Sequence, residues 1–99
     1  MPTPKLPYAV IHHFPGGTKR QYAAVLAAVH PGKRLPKGML FHAAGPVPGG
    51  WTIMGAFDSK KSWLAFHDQT LIPAMQAGIK GGFATPPQES TFAVQTFLT

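Results

Sequence analysis

The chain has 99 residues, the length of one domain, with nine Lys and Arg against three acids and no cysteine. The missing cysteine excludes disulfides, thiolate metal sites and a cysteine nucleophile, and three carboxylates are few for enzymatic acid–base work. A composition 44% hydrophobic, with seven Phe, two Trp and two Tyr, is that of a globular chain and not a disordered one.

Met1-Pro2-Thr3-Pro4-Lys5 lacks the apolar run of a signal peptide. No stretch approaches the ~18 apolar residues of a membrane helix. The reading is a soluble cytoplasmic protein of one domain, residues 1–99, with no membrane partner.

Tyr8 to Phe14 is a short apolar run between prolines, the first predicted strand. Pro15-Gly16-Gly17 turns the chain into a helix over Thr18–His30. Thr18 and Gln21 form a Thr-x-x-Gln capping box. Tyr22, Val25, Leu26 and Val29 fall at i, i+3, i+4 and i+7 and make one apolar stripe. Pro31-Gly32 ends the helix.

Met39–Gly45 and Trp51–Asp58 are predicted strands joined by the turn Pro46-Val47-Pro48-Gly49. A second helix opens at Asp58-Ser59 and turns Trp63, Phe66, His67, Thr70 and Leu71 inward. Pro73 cannot sit in a helix interior, so a break is expected near Ile72, with a short continuation that holds Pro73 in its first turn and stops at Gly78. Gly78–Ser90 reads as a long loop, with Gly81-Gly82 and Pro86-Pro87, of the kind used as lids or partner-embracing arms. Thr91–Leu98 is the last predicted strand.

The order β-α-β-β-α-β is the ferredoxin-like, α+β plan: a four-stranded antiparallel sheet with two helices on one face. Two helices cover one face only. Yet Ala9, Ile11 and His13 alternate with Tyr8, Val10 and His12, and both sets are largely apolar. A sheet apolar on both sides needs a second cover, and a second copy of the chain supplies it most simply. A homodimer is therefore expected.

With those elements in place, the chain resembles the dimeric α/β-barrel superfamily over nearly its whole length. The residues that carry the resemblance are the His-ending first strand running into Gly16-Gly17-Thr18, the Gly49-Gly50-Trp51 opening of strand three, and Phe57-Asp58-Ser59-Lys60 entering a helix with Trp63. It is most similar to small proteins near the antibiotic-biosynthesis monooxygenases. The resemblance implies a ligand pocket between sheet and helices in each subunit. It also implies a range of activities: cofactor-free oxygenation of aromatic substrates, haem degradation, cyclisation, isomerisation, or a stress role without a known reaction. One departure matters. The oxygenating branches resemble one another in a strand-one Asn with a Trp at the end of strand three. This chain has no Asn, ends strand three on Phe57 and places His12 and His13 on strand one.

Imidazole is then the plausible base. Neighbouring strand residues point to opposite faces, so His12 and His13 cannot share a job. His12 goes with Tyr8, Val10 and Phe14, as a general base or as a core histidine satisfied by a polar partner. His13 faces the expected dimer barrel. A four-residue hairpin loop pairs His42 with Ile53 and puts it on the Trp51, Ile53, Phe57 side. His67 follows Trp63 by four and shares its helix face. The candidate site is thus His12 and His42 as catalytic groups, with Tyr8, Trp51, Phe57, Trp63, Phe66 and His67 binding substrate.

A metal site is not expected, because His12 and His13 cannot grip one ion and His12, His42 and His67 have no certain carboxylate beside them. The scattered basic residues lack interleaved aromatics, so nucleic acid is not an expected partner. The leading expectation is a cofactor-free enzyme acting on an aromatic or polyketide-like molecule by histidine-assisted proton abstraction, of monooxygenase, cyclase or isomerase type. The alternatives are a non-catalytic dimeric binding or stress-response protein and, third, a haem-binding protein with one histidine ligand.

Overall fold

The structure is a computed structural model that describes residues 6–98. Met1 to Lys5, read above as lacking a signal peptide, and Thr99 lie outside the described residues. The elements run β1 (Tyr8–Pro15), α1 (Lys19–Val29), β2 (Met39–Val47), β3 (Gly50–Phe57), α2 (Lys60–Phe66), α3 (Ile72–Ala77) and β4 (Gln88–Ala93). The four strands form one antiparallel sheet in the order β2-β3-β1-β4. This is the ferredoxin-like architecture the sequence predicts.

α1 begins where the capping box puts it. Thr18 Oγ1 accepts from the Gln21 backbone N–H at 3.2 Å, and Gln21 Oε1 accepts from the Thr18 N–H at 3.0 Å. Such a cap is worth about 1 kcal/mol. It offsets Lys19 and Arg20, which sit in the first turn against the helix dipole.

The break expected near Ile72 does not occur: the second helical arm runs on without interruption, and Phe66, His67, Leu71 and Ile72 all keep right-handed helical dihedrals. α2 passes into a single π-type turn over His67–Leu71, and α3 follows with Pro73 in its first turn. The widened turn absorbs the missing Pro73 N–H.

The helical face of the sheet carries the core. Val10, Val25, Val29, Phe57, Trp63 and Phe66 form one buried cluster, with Phe57 only 1% exposed. The opposite face carries Ala9, Ile11, His13, Phe41, Met54 and Phe92. Met54 and Phe92 are 43% and 51% exposed there.

Two boundaries differ from the sequence reading. The hairpin turns on two residues, Pro48 and Gly49, instead of four, and Gly49 takes the left-handed φ of +82° that such a corner needs. His42 therefore pairs with Gly55, not Ile53. The slip is two residues, and a strand repeats every two, so His42 keeps the expected face. The last strand starts at Gln88, three residues early, and ends at Ala93. The apolar Phe92, Val94, Phe97 and Leu98 drew the sequence-based strand toward the C-terminus. The pairing instead begins at the polar Gln88-Glu89-Ser90, as suits an edge strand, and runs on through Thr91 and Phe92 to Ala93.

Candidate active site

Between the sheet and the helices lies an apolar cavity of about 390 Å³, room for a small organic molecule. Its floor is Val10, His12 and Phe14 of β1, Ile53, Gly55 and Phe57 of β3, and Met39 and His42 of β2. Its roof is Val25, Leu26 and Val29 of α1 with Trp63 and Phe66 of α2. The segment after α3 closes one end. Ile79, Gly82, Phe83 and Pro87 line the cavity, and Phe83 stacks on Phe14 with ring centroids 3.8 Å apart. Gly55 keeps the floor low, because a Cβ there would lie 2.8 Å from the Phe41 carbonyl oxygen, where β2 bulges.

Two polar pairs interrupt the apolar wall. At one, His12 Nε2 lies 2.8 Å from Glu89 Oε2, a contact made possible because β4 pairs Glu89 directly with His12. An ionised carboxylate only accepts, so Nε2 carries the hydrogen and Nδ1 keeps the basic lone pair. The His12 side chain is 13% exposed and Glu89 46%. Trp63 packs beside His12, ring centroids 6.0 Å apart.

At the other, Tyr22 Oη and His42 Nε2 are 2.6 Å apart. His30 packs edge-on to His42 at 4.8 Å and stacks on Phe66 at 5.4 Å. The Nδ1 atoms of His30 and His42 are buried and have no hydrogen-bond partner. A buried N–H without an acceptor is rarer than a bare acceptor, so the bare nitrogen is Nδ1. Nε2 of His42 then donates to Tyr22, and the phenol hydrogen is left for the cavity. Burial holds the Tyr22 phenol above its ordinary range, so it stays protonated. Burial lowers the pKa of both imidazoles. Proximity to His30 lowers His42 further, and a hydrogen bond to the Arg34 backbone partly offsets the shift at His30.

The structure brings His12, His42, Phe57, Trp63, Phe66 and His67 to this one cavity. His67 stands at the π turn, with Nδ1 2.9 Å from Asp68 Oδ1 and its ring 5.3 Å from Trp63. Two expected lining residues lie elsewhere. Tyr8 donates to Thr91 Oγ1 at 2.8 Å, with Lys60 Nζ 5.9 Å from its ring centroid. The early start of β4 brings Thr91 within its reach. Trp51 is buried behind the cavity, where it packs on Tyr22 at 5.3 Å and props the phenol from the rear. His13 faces the other side of the sheet and meets Thr52 Oγ1 at 3.1 Å.

Sequence reasoning missed Tyr22, His30 and Glu89. Tyr22 was read as one member of an apolar stripe. His30, the C-cap of α1, lies eight residues on, at the edge of the same broad helix face. Glu89 needed the correct start of β4. Among the described residues no group of three or more His, Asp or Glu is placed to hold a metal, and no helix is long and apolar enough to cross a membrane.

A sheet, two helical arms and a cavity between them define a ferredoxin-like protein, a fold that solved structures described as candidate antibiotic-biosynthesis monooxygenases share. No protein-family model matches the chain, and no curated protein matches it in sequence. Solved structures do match in fold. Rv0793 from Mycobacterium tuberculosis superposes with a TM-score of 0.70 at 18% identity, covering 94% of this chain and 99% of that one. The ActVA-Orf6 monooxygenase of Streptomyces coelicolor, solved with nanaomycin D, gives 0.66 at 15% identity over 98% of this chain and 95% of that one. A variant of SnoaB, a cofactor-independent oxygenase from Streptomyces nogalater, gives 0.64 at 11% identity over 95% and 97%.

Proposed function

We propose that the protein is a cofactor-free enzyme that removes a proton from an aromatic or polyketide-like small molecule. One observation carries this reading: an imidazole–carboxylate pair and an imidazole–phenol pair share one wall of an apolar, ligand-sized cavity. His12 and His42 stand two strands apart and two residues out of step along β3. Strand spacing then separates their Cα atoms by about 12 Å, the span of a fused-ring molecule.

His12, oriented by Glu89, takes the proton from an acidic C–H or phenol on Nδ1 and becomes an imidazolium beside the carboxylate. The electron pair stays on the substrate and moves toward its carbonyl or phenolic oxygen. Tyr22, braced by His42, donates its O–H to that developing oxyanion. The apolar walls exclude water and strengthen both interactions. The anion then reacts with oxygen, closes a ring or takes the proton back elsewhere, according to the substrate. The two Streptomyces oxygenases of the same fold support the oxygenase variant of this reading.

A panel of aromatic ketones with acidic C–H groups, screened without added cofactor for turnover and binding, tests it. Turnover of at least one member is expected. Binding without turnover anywhere in the panel would favour the non-catalytic binding protein.

A second copy of the chain, set face to face, covers Ile11, Phe41, Met54 and Phe92 in this reading. Light scattering at micromolar concentration is expected to give a dimer, and Phe92→Lys a monomer. A monomeric wild type would contradict it.

A further inference from the structure

The gap between the end of α3 and the start of β4 is spanned by residues 79–87, which belong to no helix or strand. We propose that this strap is the gate of the cavity and Phe83 its latch: substrate enters when Phe83 lifts off Phe14, and the strap closes again over the bound molecule. The proposal rests on the cavity being the substrate site.

Position is the first reason. Ile79, Gly82, Phe83 and Pro87 line the cavity. On the helical side of the sheet, the exposed residues of that lining are Met75, Gly78 and Glu89, at the two roots of the strap. The cavity therefore meets solvent beside the strap. Phe83 is the largest side chain that the strap turns inward there.

The second reason is how lightly the strap is held. β4 pairs with β1 only as far as His13, opposite Gln88, while β1 runs on to Pro15. Beside Phe14 and Pro15 no strand ladder holds the strap. Among the described residues, one hydrogen bond ties 79–87 to the rest of the chain: Thr85 Oγ1 donates to the Pro15 carbonyl at 3.3 Å. The Gly82 N–H donates within the strap, to the Ile79 carbonyl at 2.9 Å. The main anchor is the ring stack of Phe83 on Phe14, with 3.8 Å between centroids and 15° between planes. A segment held by one stack and one hydrogen bond opens well before the sheet does, which is the property of a lid.

The third reason is a built seat and a pivot. A Cβ at Gly17 would lie 2.9 Å from Phe83 Cε1, so the turn from β1 into α1 leaves a slot that the Phe83 ring enters. At the α3 root, Gly78 has φ of +84°, a backbone region that side chains disfavour and glycine enters freely. At the other root, Pro86-Pro87 stiffens the chain. The strap is thus free to turn about Gly78 and to return its ring to one place.

Stopped-flow mixing of the full chain with 2-naphthol, read by quenching of tryptophan emission, gives kon and koff separately and tests the gate. Phe83→Ala is expected to raise both rates about tenfold or more, because one barrier governs entry and exit. A residue that only lines the wall would raise koff and leave kon alone. A kon within about threefold of wild type would therefore overturn the gate while leaving the cavity reading standing. An equal rise in Met39→Ala, a change to the cavity floor, would mark general loosening and overturn it too. Phe83→Leu keeps an apolar plug without the stack and is expected to raise kon by less. It carries the test on the same criterion if Phe83→Ala does not fold. Failure of 2-naphthol to bind the wild type would remove the cavity reading and the gate together.

Discussion

His12 and His42 stand on the same face of the same sheet, yet the fold equips them differently. His12 meets a carboxylate at the half-open edge beside β4, and His42 meets a phenol in a buried corner against a second imidazole. The partner decides what each can do. A carboxylate orients an imidazole and leaves its other nitrogen basic. A phenol turns an imidazole into a brace and passes the donor role outward to Tyr22. Residue type alone makes the two equivalent, and their neighbours separate them.

Replacing His12 sharpens this contrast most. His12→Ala is expected to lower kcat by about 10²–10⁴ with the fold retained, because it removes the proposed base. A steady-state assay with circular dichroism on the same sample checks both halves. Tyr22→Phe removes the proposed oxyanion donor and is expected to cost about 10²–10³ in kcat, with weaker effects on substrate binding. If Tyr22→Phe outweighs His12→Ala, the roles assigned to the two ends are reversed.

Glu89→Gln is expected to lose less than either, since an amide still accepts from His12 but offers no charge to the imidazolium. Measured kcat in parallel with the other two variants gives the order.

The smallest effect is on stability. His30 and His42 have pKa values lowered below their ordinary 6.5, chiefly by burial. As pH falls through that value, the unfolded chain takes up protons that the folded chain resists. The stabilisation is therefore complete above the unfolded pKa and lost as pH drops toward the folded values. Tm is expected to decline between pH 7.5 and 5, and less steeply in His30→Phe, which keeps the stack on Phe66. An equal slope in that variant would show that the buried corner does not resist protonation.

Much of this was legible in the sequence where a local period governs. The capping box fixed the start of α1, and alternation put His12 and His13 on opposite faces; Pro73 widened the second arm into a π-type turn instead of breaking it. Even a hairpin register two residues out kept His42 on the right side, because two residues restore the face. Partners across the fold were not legible. Glu89 reaches His12 only if β4 pairs from Gln88, and the apolar Phe92 to Leu98 stretch masked that polar edge. Tyr22 and the C-cap His30 lie toward one face of α1, but their bonding is set by β2 and by the turn at Pro31. Tyr8 and Trp51 were placed on the correct face. A hydroxyl on Thr91 engages the one, and the phenol of Tyr22 covers the other.

The central claim is that His12 takes the substrate's proton. Solvent-deuterium exchange at the acidic carbon, followed by NMR on a bound aromatic ketone without oxygen, tests it most directly. The account predicts catalysed exchange by the wild type and none above background by His12→Ala, with both proteins binding the ketone. Exchange by His12→Ala at the wild-type rate would contradict it.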